Sequence, residues 1–299
     1  MSERSDTAGD AASDTAVVAR SDPDPDGPAV LRRMAENLAR DAAAHLRELP
    51  RPWERAPGDG VTTKSSPTDV VTASDHAVET LVRERLERWR PGDTVLGEEH
   101  GGEAQGPGVH WVVDPIDGTV NFLYGLPWYA VSVAAVRGGR SLAGAVVEPA
   151  SGRVWSAAAG HGATCDGVRL HVSDATDPTL SLLGTGFSYI AVRRTRQVAL
   201  IAALLPHVRD LRRMGSAALD LCAVAAGWID AYLEHGCNWW DWAAGSLIAT
   251  EAGAVVRVPG PPGTQPPDDG LGADALFAAT PGIAAPLRAL AIEHGAGAV

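Results

Sequence analysis

An apolar run that ends in two aspartates constrains this chain more than any other feature. Trp111-Val112-Val113 reads as a buried strand, and Asp114-Pro115-Ile116-Asp117-Gly118-Thr119 follows without a break. Two carboxylates three residues apart on a tight Pro- and Gly-containing turn can be aimed at one point. The turn then opens a short helix whose free N–H groups attract an anion. Acids and an anion site in one turn conflict unless cations lie between them. Mg2+ resolves the conflict, because it takes oxygen ligands and prefers one or two carboxylates plus substrate phosphate. The plain alternative for Asp-x-x-Asp by itself is a strand-to-helix turn with a capping aspartate.

Two other segments bear on that choice. Gly97-Glu98-Glu99-His100 ends the strand Thr94-Val95-Leu96, and Trp239-Trp240-Asp241-Trp242-Ala243-Ala244-Gly245 opens a helix expected to run to Ala252. Each acid falls at a strand end or a helix start, where α/β proteins place ligand sites. Two unit charges ~4 Å apart repel by roughly 4 kcal/mol at an effective dielectric of ~20. A cluster of such acids therefore implies bound cations, and two or three divalent ions close together suit in-line phosphoryl displacement.

The rest of the chain supplies a frame for these segments. Residues 1–27 carry seven acids against Arg4 and Arg20, almost no apolar surface, and prolines at their end, which predicts a disordered acidic tail. Leu31, Met34, Leu38, Leu46 and Leu49 form one helical stripe, closed by Pro50 and Pro52. A second stripe, Val78 to Trp89, is expected to start at a Ser74-Asp75 cap. Tyr129–Val136, Leu142–Glu148 and Arg153–Ala158 read as an antiparallel meander turned by Gly138-Gly139 and Ser151-Gly152. Beyond them, a strand near 208–213, a helix over 216–226, a strand over 230–234, a helix over 241–252 and a strand over 254–258 alternate as in an α/β unit. A closing helix is expected over 284–292. The fold class is α/β (α+β), divided into an N-terminal metal-site subdomain over 28–178 and a C-terminal substrate subdomain over 179–299.

Composition excludes several functions. The formal net charge is -12, and Lys64 is the single lysine among 25 basic residues, so no footprint for a nucleic-acid backbone is expected. Three cysteines, Cys165, Cys222 and Cys237, make neither a disulfide framework nor a zinc site, which points to the cytoplasm. The longest apolar runs fall far short of a bilayer span, so no membrane association is expected. The nine histidines lack zinc-helix spacing and read as surface or core residues. No phosphate-binding P-loop or nucleophile elbow occurs, and Gly184-Thr185-Gly186 lacks the third glycine of a dinucleotide fingerprint.

Taken in order, Gly-Glu-Glu, Trp-Val-Val-Asp-Pro-Ile-Asp-Gly-Thr and Trp-Asp-x-Ala-Ala-Gly resemble the inositol monophosphatase-like phosphatases, over roughly residues 30–295. The resemblance implies a layered αβαβα sandwich, commonly a homodimer, with Mg2+ dependence and lithium inhibition. It implies metal ligation by Glu98, Asp114, the Ile116 carbonyl, Asp117 and Asp241. It also implies that Thr119, paired with Asp69 and working beside Glu98, orients the attacking water, and that the Gly118 and Thr119 amides hold phosphate. Chemically, a threonine hydroxyl can accept a water proton while donating its own to a carboxylate, so no histidine and no covalent intermediate is required.

Substrate choice is expected from the C-terminal half. Gly215, Ser216 and Ala217 start a helix and can present amides and a hydroxyl to a polyol, or can simply pack. Glu234 matches the family acid that meets inositol hydroxyls; the alternative is an exposed strand-end glutamate. Arg212 to Asp220 looks like the inositol phosphatase branch, which favours myo-inositol 1-phosphate over histidinol phosphate, fructose 1,6-bisphosphate or a nucleotide 3′-phosphate. Trp242 departs from the family's small aliphatic residue and either narrows the pocket or packs beneath it. Lys64, five residues before Asp69, is either a solvated loop residue or an ammonium beside the site. A rival of another class is a regulatory binding protein that keeps the fold, for example one working with transcription machinery.

Overall fold

The computed structural model describes residues 24–51, 61–63 and 70–299. The chain begins with α1 (Pro28–Glu48), β1 (Val61–Thr63), β2 (Val70–Thr72) and α2 (Ala73–Trp89). Next come β3 (Thr94–Gly97), β4 (His110–Asp117), α3 (Thr119–Tyr124), β5 (Ala130–Arg137), β6 (Arg140–Val147), β7 (Val154–Ala158), β8 (Gly162–Cys165) and β9 (Val168–Arg169). The last third holds β10 (Leu182–Thr185), α4 (Ala191–Leu204), β11 (Asp210–Arg212), α5 (Ala217–Ala225), β12 (Ala231–His235), α6 (Trp239–Glu251), β13 (Val255–Arg257), β14 (Ala275–Ala279) and α7 (Pro281–Glu293).

Period-two alternation sorts the strand side chains into three cores. In the seven-stranded sheet, ordered β3 to β9, Trp111, Val113, Val131, Val133, Ala143 and Ala145 face α1 and α2. Their neighbours Val112, Ala134, Val146, Trp155 and Ala157 face α5 and α6. The five-stranded sheet runs β11-β10-β12-β14-β13; its Tyr232, Leu276 and Ala278 join the α5–α6 core. Leu183, Ala231, Leu233 and Phe277 turn instead to Leu200, Ile201 and Leu204 of α4 and Ile283 and Leu287 of α7. The layers are thus helix, sheet, helix, sheet, helix, the αβαβα sandwich that the resemblance implied. Strands covered on both faces read as nearly continuous apolar runs, as β4 and β5 do. Among the described residues no helix is long and apolar enough to cross a membrane.

Most expected elements form within a few residues of their predicted bounds. Three differ. The second helix starts at Ala73 with Thr72 as its N-cap, so Asp75 is the third helical residue and reaches back to the Thr72 N–H at 2.8 Å. The helix α4 and the strands β1, β2, β8, β9, β10 and β14 were not foreseen, β1 and β2 falling in a stretch read as a loop. The α4 helix buries only Gln197, Leu200, Ile201 and Leu204, which leaves a weak stripe amid exposed apolar residues. The last residues of the expected tail are tied to the fold: Asp26 accepts Arg90 Nη2 at 2.6 Å and Arg137 Nη2 at 2.8 Å; residues 1–23 lie outside the described residues.

The central helices approach the first sheet closely because their contact residues are small. A Cβ on Gly144 of β6 would lie 2.9 Å from the Ala244 Cα of α6, and one on Gly245 would lie 2.9 Å from Leu221 Cδ1 of α5. The Ala-Ala-Gly of the tryptophan motif is therefore a packing requirement that sets Asp241 close to β4. Overpacking such a contact costs about 1–3 kcal/mol. Gly144→Ala should lower the thermal unfolding midpoint accordingly, whereas Gly92→Ala, with open space around it, should stay within about 0.5 kcal/mol of the parent.

Candidate active site

The two aspartates of β4 meet through a bulge in the strand. Residues an odd number apart on a regular strand point to opposite faces. Here Asp114 pairs with Ser132 and Asp117 with Ala130, and the register shifts between them. Pro115, which has no N–H for the ladder, sits in the shifted segment. The bulge aims both carboxylates into one cavity, a role that the sequence reading gave to a turn. Strand β4 runs through Asp117, and only then does Gly118, at φ +94°, open α3.

That cavity has a volume of about 360 Å³. Glu98, Asp114, Asp117, Thr119 and Asp241 line one part, and Gly215, Ser216, Ala217 and Glu234 another. Nearly every site residue named from sequence thus shares it. Lys64 and Asp69 lie outside the described residues. Trp240 lines the cavity while Trp242 is buried in the core with Trp239, their rings 6.2 Å apart, so Trp242 packs beneath the site. Glu234 is half-buried and its Oε2 accepts the Tyr232 hydroxyl, which removes it from the exposed strand-end reading.

Each acid is also held structurally. Asp117 Oδ2 accepts Ser216 Oγ at 2.6 Å and the Ala218 N–H at 2.7 Å, tying β4 to the start of α5. Ser216 in turn caps α5 by accepting the Leu219 N–H at 3.2 Å. Asp241 Oδ2 accepts the Asn238 N–H at 2.6 Å, and Asp114 Oδ1 the Ile116 N–H at 3.0 Å. Asp114 Oδ1, Asp117 Oδ2 and Asp241 Oδ2 thus serve the fold, and all three acids also line the cavity.

Sequence reasoning missed several members. Asp75 was assigned only to a helix cap, yet its Oδ1 accepts the Thr119 hydroxyl at 3.2 Å, and the same hydroxyl lies 3.0 Å from the Ile116 carbonyl. The signal was present in Thr-Ala-Ser-Asp, where a capping box leaves the second carboxylate oxygen free to point outward. Asn121 Nδ2 donates to the Trp128 and Met214 carbonyls at 2.7 and 2.8 Å, locking α3 to the loop before α5. Thr185 to Ile190, Arg193 and Arg213 form a further part of the wall; the Gly184-Thr185-Gly186 segment had been weighed only as a failed nucleotide fingerprint.

Electrostatics set this site apart. Burial, reinforced by Glu98, Asp117 and Asp241, raises the Asp114 pKa well above the carboxylate range. Asp241 is raised likewise by burial and then by Asp117 and Glu98. Burial pushes Asp117 to about 7 against the Ser216 and Ala218 hydrogen bonds, and Asp75 to about 7 against those of Thr72. Such a donor set, all hard oxygen and mutually repulsive, fits a divalent cation. Among the described residues no three His, Cys, Asp or Glu side chains stand in a geometry that would hold a metal ion outright. The fit accordingly rests on the chemistry of the donors and their shared cavity.

A metal-dependent phosphoric monoester hydrolase is the class of protein that this fold and carboxylate-lined cavity define. A family model described as the inositol monophosphatase family matches residues 28–291. The chain is 52% identical over 284 residues to an inositol-1-monophosphatase of Mycobacterium leprae (strain TN), covering 89% of this chain and 94% of the relative. It is 42% identical over 197 residues to a Nus factor SuhB of Pasteurella multocida (strain Pm70), covering 65% of this chain and 74% of that protein. The solved structure of Mycobacterium tuberculosis SuhB matches with a TM-score of 0.75 at 46% identity, over 90% of this chain and 99% of that one. The chain belongs to the inositol monophosphatase family and is a phosphatase.

The raised carboxylates set a sign for pH dependence. Unfolded, Asp75 and Asp117 ionise near 3.8, whereas in the fold they retain protons to about 7. The native state binds the extra protons between those values, so stability is present at low pH and lost as pH rises through the folded pKa. Chelator-treated protein should melt several degrees lower at about pH 8 than at about pH 5.5, and added Mg2+ should remove most of that difference. A melting temperature that climbs with pH in the chelated protein would contradict this electrostatic account.

Proposed function

We propose that this chain is a Mg2+-dependent phosphatase that hydrolyses myo-inositol 1-phosphate, or a closely similar polyol phosphate, to the polyol and inorganic phosphate. The observation that carries the reading is that Glu98, Asp114, Asp117 and Asp241 share one cavity with Glu234, Gly215, Ser216 and Ala217. The four acids and the Ile116 carbonyl would hold two or three Mg2+ ions, which when bound neutralise phosphate charge and lower the pKa of the attacking water.

The chain's own residues do the rest. The Thr119 hydroxyl takes a proton from water as its own passes toward Asp75 Oδ1, 3.2 Å away. Glu98 orients the same water. The Gly118 and Thr119 amides, at the start of α3, receive the phosphate. Water oxygen bonds to phosphorus as the ester P–O bond breaks, and the ester oxygen takes a proton from solvent to leave as the polyol hydroxyl. Glu234 and the 215–217 backbone receive the polyol hydroxyls, since the Ser216 Oγ–H is already given to Asp117. Asp69 remains a second candidate partner for Thr119.

Further parts of the proposal follow from family membership: lithium inhibition, a cytoplasmic setting and a homodimer. The division at 178/179 is supported by sheet composition, since β3–β9 form one sheet and β10–β14 another. Histidinol phosphate, fructose 1,6-bisphosphate and nucleotide 3′-phosphates remain alternative substrates. The Pasteurella relative named a Nus factor favours a second, compatible reading, a regulatory association that uses the same fold.

A panel of these esters assayed for phosphate release with Mg2+, with and without lithium, tests the reading. Myo-inositol 1-phosphate should show the highest kcat/KM, and Asp114→Asn or Asp241→Asn should abolish turnover. Asp75→Asn should lower kcat by about 10²–10⁴-fold; an Asp69→Asn variant that loses as much while Asp75→Asn is normal would transfer the role. Absence of phosphate release from every ester would overturn the enzymatic reading in favour of the regulatory one.

A further inference from the structure

Glu98 sits on a turn whose conformation is not secured by the sheet alone. Strand β3 ends at Gly97, and the chain reverses through Glu98, Glu99 and His100 to a single bridge between Gly97 and Gly101. Helix α2 supplies what the sheet lacks. Glu79, with no exposed surface, accepts the Glu99 N–H on Oε2 at 2.7 Å and the His100 N–H on Oε1 at 3.2 Å. One helical turn on, Arg83 donates its Nε–H to Glu79 Oε1 at 2.8 Å and its Nη groups to the Val95 and Gly101 carbonyls. The two side chains therefore grip both the donors and the acceptors of the loop.

The fit leaves little slack. A Cβ on Gly97 would lie 2.1 Å from Glu79 Oε1, so the glycine before Glu98 is the space into which the carboxylate is seated. A buried carboxylate is tolerated only when its lone pairs are taken, and here the takers are the two backbone N–H groups that follow Glu98 and the Arg83 guanidinium. The same helix carries Asp75 one turn earlier, at the spacing that places i and i+4 on one face. One face of α2 thus holds the Thr119 hydroxyl through Asp75 and the Glu98 turn through Glu79.

We propose that Glu79, braced by Arg83, is a positioning residue that sets the direction of the Glu98 side chain and through it the affinity of the site for its divalent cation. The proposal rests on the reading of Glu98 as a metal ligand. A neutral amide at position 79 keeps the volume but can accept only through one oxygen, and its NH2 faces a donor. Residues that orient metal ligands typically change metal affinity or activity by about 10–100-fold when replaced.

The test compares Glu79→Gln, Glu98→Gln and Val82→Ala, a buried α2 side chain in the helix-facing core, each as the full chain. Mg2+ affinity is read by titration calorimetry, amide hydrogen exchange at Glu99 and His100 by NMR, and stability by thermal melting. Glu79→Gln should weaken Mg2+ binding about tenfold and speed exchange at those two amides, with kcat at saturating Mg2+ largely retained. Val82→Ala should lower the melting temperature and leave both readouts unchanged. Glu98→Gln should weaken Mg2+ binding while the two amides stay protected. Parental Mg2+ affinity in Glu79→Gln, or an equal loss in Val82→Ala, overturns the positioning role. Parental Mg2+ affinity in Glu98→Gln overturns the metal role of Glu98 itself.

Discussion

Carboxylates that must stay both buried and close together set the terms for the rest of this structure. Desolvation and mutual repulsion each oppose ionisation of Asp114, Asp117 and Asp241. The fold answers by giving each acid a hydrogen-bond donor from the backbone: Ile116 to Asp114, Ala218 to Asp117 and Asn238 to Asp241. Two of those donors lie at the starts of α5 and α6, where unsatisfied N–H groups and the positive end of the helix dipole favour negative charge. The middle helical layer therefore stabilises the site as well as the core, and its small residues exist so that these helix ends can come near β4.

The outer layer has a parallel task. Its α2 helix packs Val78, Val82 and Leu86 into the core under the first sheet, while Asp75 and Glu79 on the neighbouring face reach the Thr119 hydroxyl and the Glu98 turn. Side chains drawn from helices on both sides of one sheet thus converge on the end of β4. The single irregularity in that strand, at Pro115, is what allows two aspartates of odd spacing to share one cavity.

Much of this was legible in the linear chain. The acids Glu98, Asp114, Asp117 and Asp241 stand out because each follows an apolar run at a predicted strand end or opens a predicted helix, and the structure gathers all four. The layers were legible because alternation and 3.6-residue stripes are local signals. Asp75 was misread as no more than part of a cap because a capping box and an outward-facing oxygen use the same side chain. Glu79 was invisible for a related reason: an acid in a helical stripe reads as a solvated face until the backbone amides of a loop twenty residues away are seen to cover it. Helix α4 and the cavity wall at 185–193 were missed because their apolar residues are largely exposed and carry little periodicity.

What the sequence determined by itself is therefore the set of acids, the family and the alternation that builds five layers, all properties of short stretches. Tertiary structure alone decided which carboxylate meets Thr119, that Trp242 lies beneath the pocket and Trp240 beside it, and that Ser216 serves Asp117. Those outcomes depend on a strand bulge and on helix-to-sheet distances set by glycine and alanine contacts between segments as much as 100 residues apart in the chain. Local periodicity says which way a side chain leaves its own backbone, but it does not encode what stands opposite.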